Sequence, residues 1–289
     1  MALVFSLFFS SSLQAAPLRV TVVLSEEGGV YQTFSDSLHD KLQSDRITLT
    51  TQRIDQVLSE SDLYIAVGMK AASELAANDV TTLNVLIPKA GYEKLQHVPA
   101  QRKKPYSAVF LDQPVERQVA LLQAVLPATR HVGVLYAAPQ PELQNLRRLM
   151  LDKNIRLHDR IVDESRSLND ALESILTESE VLFVLADAEV YNAGTIRNIL
   201  LTAYRKQVPL IGISQAYVKA GALCAVYTTP EQVAAQAASM VQRYLESGKL
   251  PTAQFPSEFE VSVNMQVARS LDLHIKDAAK LRNEIRGAP

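Results

Sequence analysis

From Leu18 almost to the end of the chain, short β-branched apolar runs alternate with stretches whose apolar positions recur every three to four residues. Alternation or a continuous apolar run signals a strand, and recurrence at helical spacing signals a helix. Together they give the rhythm of a parallel sheet wrapped by helices. The pattern predicts strands at Leu18–Leu24, Ile47–Thr51, Leu63–Val67, Thr82–Ile87 and Ser107–Phe110, with helices between them at Tyr31–Leu42 and Ala71–Ala77. Around residues 101–105 the chain turns basic and proline-containing, a helix follows over Pro114–Leu126, and the βα rhythm begins again. The second series has strands at His131–Tyr136, Arg156–Ile161, Val181–Leu185 and Pro209–Ile213, with helices at Pro141–Lys153, Leu168–Thr177 and Gly194–Gln207. Two similar α/β units in series predict two Rossmann-like lobes with a boundary near residues 105–113.

The last part does not simply extend the second unit. Ala222–Tyr227 reads as a strand, and Pro230–Glu246 as a helix with proline in its first turn and Ser247-Gly248 at its end. An alternating segment, Phe259–Val263, follows. This tail is expected to cross back between the lobes.

Composition narrows the function classes. The chain has 289 residues, 47% of them hydrophobic, which is enough for a large core. Its 29 Lys+Arg and 31 Asp+Glu leave a net charge of -2, with no basic run beyond Arg102-Lys103-Lys104. Nucleic acid is therefore not an expected partner, because phosphate binding needs a concentrated basic face. The start, MALVFSLFFSSSLQAAPLRV, has an apolar stretch from Ala2 to Phe9, polar Ser10–Ser12 and a small-residue site at Leu13-Gln14-Ala15. This fits a signal peptide over residues 1–16 with cleavage after Ala15, and so a periplasmic location. Cys224, the one cysteine, lies in the apolar run 222–226 and reads as a core residue. No cysteine lies near the cleavage site, so a lipoprotein anchor is not expected.

Motifs for catalysis are weak. Gly212-Ile-Ser214-Gln-Ala216 sits between strand and helix, where a hydrolase nucleophile would stand, but Ala216 replaces the second glycine of that turn. A helix cap or a ligand contact is the better reading of Ser214. No glycine-rich phosphate loop, paired cysteines or HExxH occurs, so neither a nucleotide cofactor nor a metal is expected.

What remains is a set of polar or permissive residues at the C-terminal ends of strands, the edge where open α/β sheets bind ligands. The first unit supplies Ser25 and Glu26, the turn Gly68-Met69-Lys70, and Pro88-Lys89; the second supplies Tyr136, Asp187 and Ser214. Asp187 has two readings. It caps a helix through backbone N–H groups, or, with Asn192 as the better-placed cap, it is free to meet a cationic group such as an ammonium.

The stretch VLFVLADAEVYNAG from Val181, followed by Val208-Pro209, Val218 with Gly221-Ala222-Leu223, Gly248 with Pro251, and Val263-Asn264 with Ala268 and Leu271-Asp272-Leu273, occurs in a fixed order. With Leu122–Tyr136, it resembles the periplasmic substrate-binding proteins of ABC transporters that include the tryptophan/tyrosine-type binders. The likeness runs over about residues 107–275. It implies a type I periplasmic-binding fold with a three-strand hinge: a first lobe of 17–108 plus 226–256, and a second of 109–225 plus 257–289. It further implies a non-enzymatic, monomeric solute-binding protein. Its ligand, an amino acid or related compound, would lie between Ser25, Glu26, Gly68 and Met69 on one side and Tyr136, Asp187 and Ser214 on the other. Its partner would be an inner-membrane permease. A sensor of the same fold, signalling to a receptor or kinase ectodomain, is the alternative. Hinge passages are expected near Val109–Gln113, Ala225–Thr228 and Pro256–Val261. Members of this family place a small hydroxyl residue after the glycine of the third strand, where this chain has Met69.

Overall fold

The computed structural model describes residues 16–98, 102–165 and 167–286; the expected leader, apart from residue 16, lies outside them. In chain order the first series is β1 (Leu18–Leu24), α1 (Gly29–Lys41), β2 (Ile47–Arg53), β3 (Leu63–Val67), α2 (Met69–Ala77), β4 (Thr82–Ile87), α3 (Lys89–Leu95) and β5 (Tyr106–Phe110). The second is α4 (Val115–Val125), β6 (His131–Tyr136), α5 (Pro141–Asp152), β7 (Arg156–Ile161), α6 (Leu168–Glu178), β8 (Val181–Phe183), α7 (Ile196–Arg205), β9 (Leu210–Gly212), α8 (Gln215–Ala220) and β10 (Cys224–Tyr227). The tail forms α9 (Pro230–Ser247), β11 (Glu260–Val263), α10 (Met265–Ser270) and α11 (Ala278–Arg286).

The strands form two sheets, ordered β2-β1-β3-β4-β5 and β11-β10-β9-β8-β6-β7. The first is parallel throughout; in the second, only β11 runs antiparallel, against β10. Without β11 the second sheet reads β7-β6-β8-β9-β10, the same winding as the first. Each therefore reverses its strand order once, between β1 and β3 in one lobe and between β6 and β8 in the other. In doubly wound sheets that reversal opens a crevice beyond the strand C-termini.

Burial follows the sequence pattern. The central strands β3 and β4 are buried at every residue, whereas the edge strand β2 (ITLTTQR) has no fully buried position. Helices α1 and α9 cover one face of the first sheet through Phe34, Leu38, Val233, Ala237 and Val241. Ala72, Leu75 and Tyr92, from α2 and α3, cover the other. The second sheet is sandwiched likewise, with α4, α5 and α11 on one face and α6 and α7 on the other. Cys224 is fully buried in this core, which pushes its thiol up to about 12.

Helix α9 lies in the first lobe although it follows the second in sequence. Its start is secured by a capping box between Thr229 and Gln232 behind Pro230, and its end by Gly248 in the left-handed region at φ 67. The chain after it returns to β5, where Gln254 bridges Val109, before joining the second sheet as β11. Three crossovers therefore join the lobes, after β5, after β10 and before β11. They are laced together: the Gln113 side-chain amide donates to Thr228 Oγ1 at 2.7 Å, and Thr228 donates to the Glu258 carbonyl at 2.8 Å. Arg117 donates to Gln113 Oε1 at 2.7 Å and to the Pro256 carbonyl at 3.0 Å.

Some boundaries differ from expectation. Strand β8 ends at Phe183 rather than Leu185, although Val184 N–H still reaches the Ile211 carbonyl at 3.1 Å. Helix α7 begins at Ile196 with Thr195 at its cap, because residues 188–194 are taken up by turns. Asn192 accepts the Gly194 N–H at 3.0 Å within those turns rather than capping the helix.

Candidate functional site

Lys89, just past the end of β4, meets Glu142, beyond the end of β6, at 2.9 Å, so the C-terminal edges of the two sheets come together. The first-lobe crevice lies between the ends of β1 and β3, where Leu24 pairs with Val67 and places Ser25 beside Gly68. Ser25 is 7% exposed, and its Oγ accepts the Ala71 N–H of α2 at 3.0 Å. Gly68 holds φ 87 and ψ 168, a conformation for glycine, and a β-carbon there would come within 2.8 Å of both Ser25 Oγ and the Tyr31 hydroxyl. Bare backbone, a serine and a tyrosine hydroxyl thus share one small space. Tyr31 escaped the sequence reading because its position in α1 carries no signal of where its hydroxyl ends.

Around this crevice, Lys70 and Glu26 pair at 2.6 Å. Each favours the other's charge through that hydrogen bond, so Glu26 is lowered and Lys70 raised. Met69 is partly exposed and lies over Gly91 of α3. Beyond β1 and β2, a cavity of about 290 Å³ is lined by Leu24, Glu27, Gly28, Gln32 and Arg53 among others.

The second-lobe crevice, between β6 and β8, is spanned by Asp187. Its Oδ2 accepts the Ala137 N–H, just past β6, at 2.8 Å; its Oδ1 accepts the N–H groups of Glu189 and Val190 at 3.0 and 3.4 Å. Asp187 therefore caps the turn that follows β8 and ties it to the neighbouring loop, in the same way that Ser25 ties the first crevice. Tyr136 turns toward β7: its hydroxyl donates to Asp159 Oδ2 at 3.1 Å, and Arg147 holds the other oxygen at 2.8 Å. Burial, then the facing Asp159 carboxylate, raises the Tyr136 phenol. Ser214 is the N-cap of α8, its Oγ accepting the Tyr217 N–H at 3.4 Å.

Lys89 connects the lobes. From the start of α3 its Nζ reaches Glu142, in the first turn of α5, at 2.9 Å, and also contacts Glu93 one turn along its own helix. Its backbone N–H donates to Asp112 Oδ2 in the first crossover. Burial, opposed by that N–H and reinforced by the Glu142 charge, pushes Asp112 up to about 6. Burial opposes the Lys89 charge, but its bonds to Glu142 and Glu93 prevail and raise it.

Among the described residues, no group of three His, Cys, Asp or Glu side chains could hold a metal ion, and no helix is long and apolar enough to cross a membrane. The sequence profile of the family described as ABC transporter substrate binding protein matches residues 48–283. The chain belongs to this family. No curated protein matches it in sequence. Solved structures match its fold. A conserved domain protein from Vibrio cholerae is 20% identical, with a TM-score of 0.65 over 92% of this chain and 98% of that one. An ABC domain in complex with L-Trp from Streptococcus pneumonia is 14% identical, with a TM-score of 0.66 over 92% and 98%. The ligand-free, open form of a substrate-binding protein with adhesive properties from Clostridium difficile is 15% identical, with a TM-score of 0.68 over 90% and 96%. The α/β architecture with parallel-sheet lobes is thus that of type I periplasmic-binding proteins.

Proposed function

We propose that this substrate-binding protein works in the periplasm, captures a small molecule between its lobes without chemical turnover, and delivers it to an ABC permease in the inner membrane. The lobes are 17–108 plus 226–256 and 109–225 plus 257–289, with residues 1–16 as the export leader. The observation that supports this reading is the pair of strand-reversal crevices at the C-terminal ends of the two sheets, one lined by Ser25 and Gly68 and the other spanned by Asp187, with Lys89 and Glu142 meeting between the lobes at 2.9 Å. Ser25, Glu26, Gly68 and Met69 form the first-lobe contact, and Tyr136, Asp187 and Ser214 the second. Contacts from both sides are what closure requires, since a ligand shifts a conformational equilibrium only by its differential affinity for the two states.

The L-Trp held by the Streptococcus protein makes amino acids the first class to screen, followed by nucleosides and small sugars. The test is a thermal-shift series. A ligand at a hundredfold excess over its dissociation constant adds about 2.7 kcal/mol to the folded state. A shift that is saturable in one of these classes supports capture; no shift in any of them contradicts it.

A further inference from the structure

The pair formed by Lys89 and Glu142 joins the lobes directly. Lys89 stands at the end of β4 and Glu142 at the start of α5, so the contact runs from one sheet edge to the other across the gap rather than along a crossover. Both side chains are largely withdrawn from water, at 23% and 22% exposure, where a charge pair is screened far less than on an open surface. The Lys89 end is rigidly placed. Leu86, with φ 54, and the register shift between Val85 and Ile87 set the exit from β4, and Asp112 takes the Lys89 N–H from the crossover. Glu93 contacts the same ammonium from within its own helix and so adds no bond between the lobes. Four charged groups thus meet here: Lys89 and Glu93 from α3, Asp112 from the crossover and Glu142 from α5.

We infer that Lys89 and Glu142 form a clasp that draws the two lobes together in the absence of ligand. The inference rests on the reading of the gap as a capture cleft that opens and shuts. A clasp of this kind makes closure partly independent of the ligand and sets how much of the free protein is already shut. It also makes that fraction sensitive to salt, because the pair is broken each time the cleft opens and its charges become screened. Lys89 acts here as a positioning residue, holding one lobe against the other.

Small-angle X-ray scattering on the ligand-free full chain tests it. At low salt the radius of gyration is expected to rise in Glu142→Gln and in Lys89→Met relative to the unaltered protein. Raising the salt toward 1 M, where the screening length falls to about 3 Å, is expected to expand the unaltered protein and leave Glu142→Gln unchanged. Glu93→Gln, which removes only the partner within the lobe, is expected to keep the compact radius. Circular dichroism of each variant separates expansion by opening from loss of fold. Equal radii for the unaltered protein and a folded Glu142→Gln at low salt, or the same expansion in Glu93→Gln, overturn the clasp. A ligand that still shifts the melting temperature in that case leaves capture standing, so the two failures are distinct.

Discussion

The carboxylate of Asp187 accepts the backbone N–H of Ala137 at 2.8 Å, tying the turn after β8 to the loop after β6 across the strand-order reversal of the second lobe. Both of its oxygens are engaged by backbone donors, so its first task is to hold the rim in shape. Replacing it with alanine strands the Ala137 N–H in a half-buried position. The expected cost is about 1–3 kcal/mol of folding stability, read by urea denaturation. Asp187→Asn keeps an acceptor for one of these donors and is expected to lose less. If the ligand brings a cation, Asn also loses the ligand-induced melting shift while keeping most of the stability, and that split separates the rim-holding role from the binding role.

Gly68 is the position where the first rim tolerates no side chain. Its β-carbon would need the space of Ser25 Oγ and the Tyr31 hydroxyl, and φ 87 with ψ 168 is costly for any residue with a β-carbon. Gly68→Ala is expected to destabilise the first lobe by about 1–3 kcal/mol. It is also expected to abolish the ligand shift, because Ser25 and Tyr31 are displaced from the crevice. A fully stable Gly68→Ala protein with an intact ligand shift would place the ligand elsewhere.

Asp112 gives a pH signature. Its carboxyl is raised from an ordinary 3.8 to about 6, first by burial. The folded protein therefore holds this proton more tightly than the unfolded chain does. Its contribution is greatest in acid and is lost as pH rises through about 4 to 6, levelling off above that. Asp112→Asn keeps an acceptor for the Lys89 N–H but cannot ionise. It is expected to be more stable than the unaltered protein at pH 7, by about 1–3 kcal/mol after allowance for solvent screening, with the difference shrinking toward pH 4. Urea melts at several pH values check this. A constant difference across the range would assign the effect to something other than that proton.

The architecture was legible because its strands are short and regularly spaced, and the central ones are apolar. β1, β3, β4, β6 and β7 fall on the expected residues, and β1, β3 and β4 are each bounded by polar or turn-forming positions. The short α3 (KAGYEKL) was not foreseen, because seven residues with an internal glycine carry too little helical periodicity. The rim was legible as a set of strand ends, which is how Ser25, Gly68 and Asp187 were found. Their partners were not: Ala137 for Asp187, Asp159 for Tyr136 and Glu142 for Lys89 lie 50, 23 and 53 residues away in sequence. Such pairs are fixed by the order of strands in the sheet and by the meeting of two lobes, neither of which leaves a local trace in the sequence. Ser214 was readable as a cap because its requirement, a free N–H three residues on, is local.

Hydrogen–deuterium exchange with and without the ligand identified by thermal shift tests the two-sided grip most directly. Capture between the lobes predicts slowed exchange on both rims at once, at residues 25–28 and 68–71 in the first lobe and 137–142 and 187–190 in the second. Protection confined to one lobe, for instance to the cavity lined by Gln32 and Arg53, would contradict it.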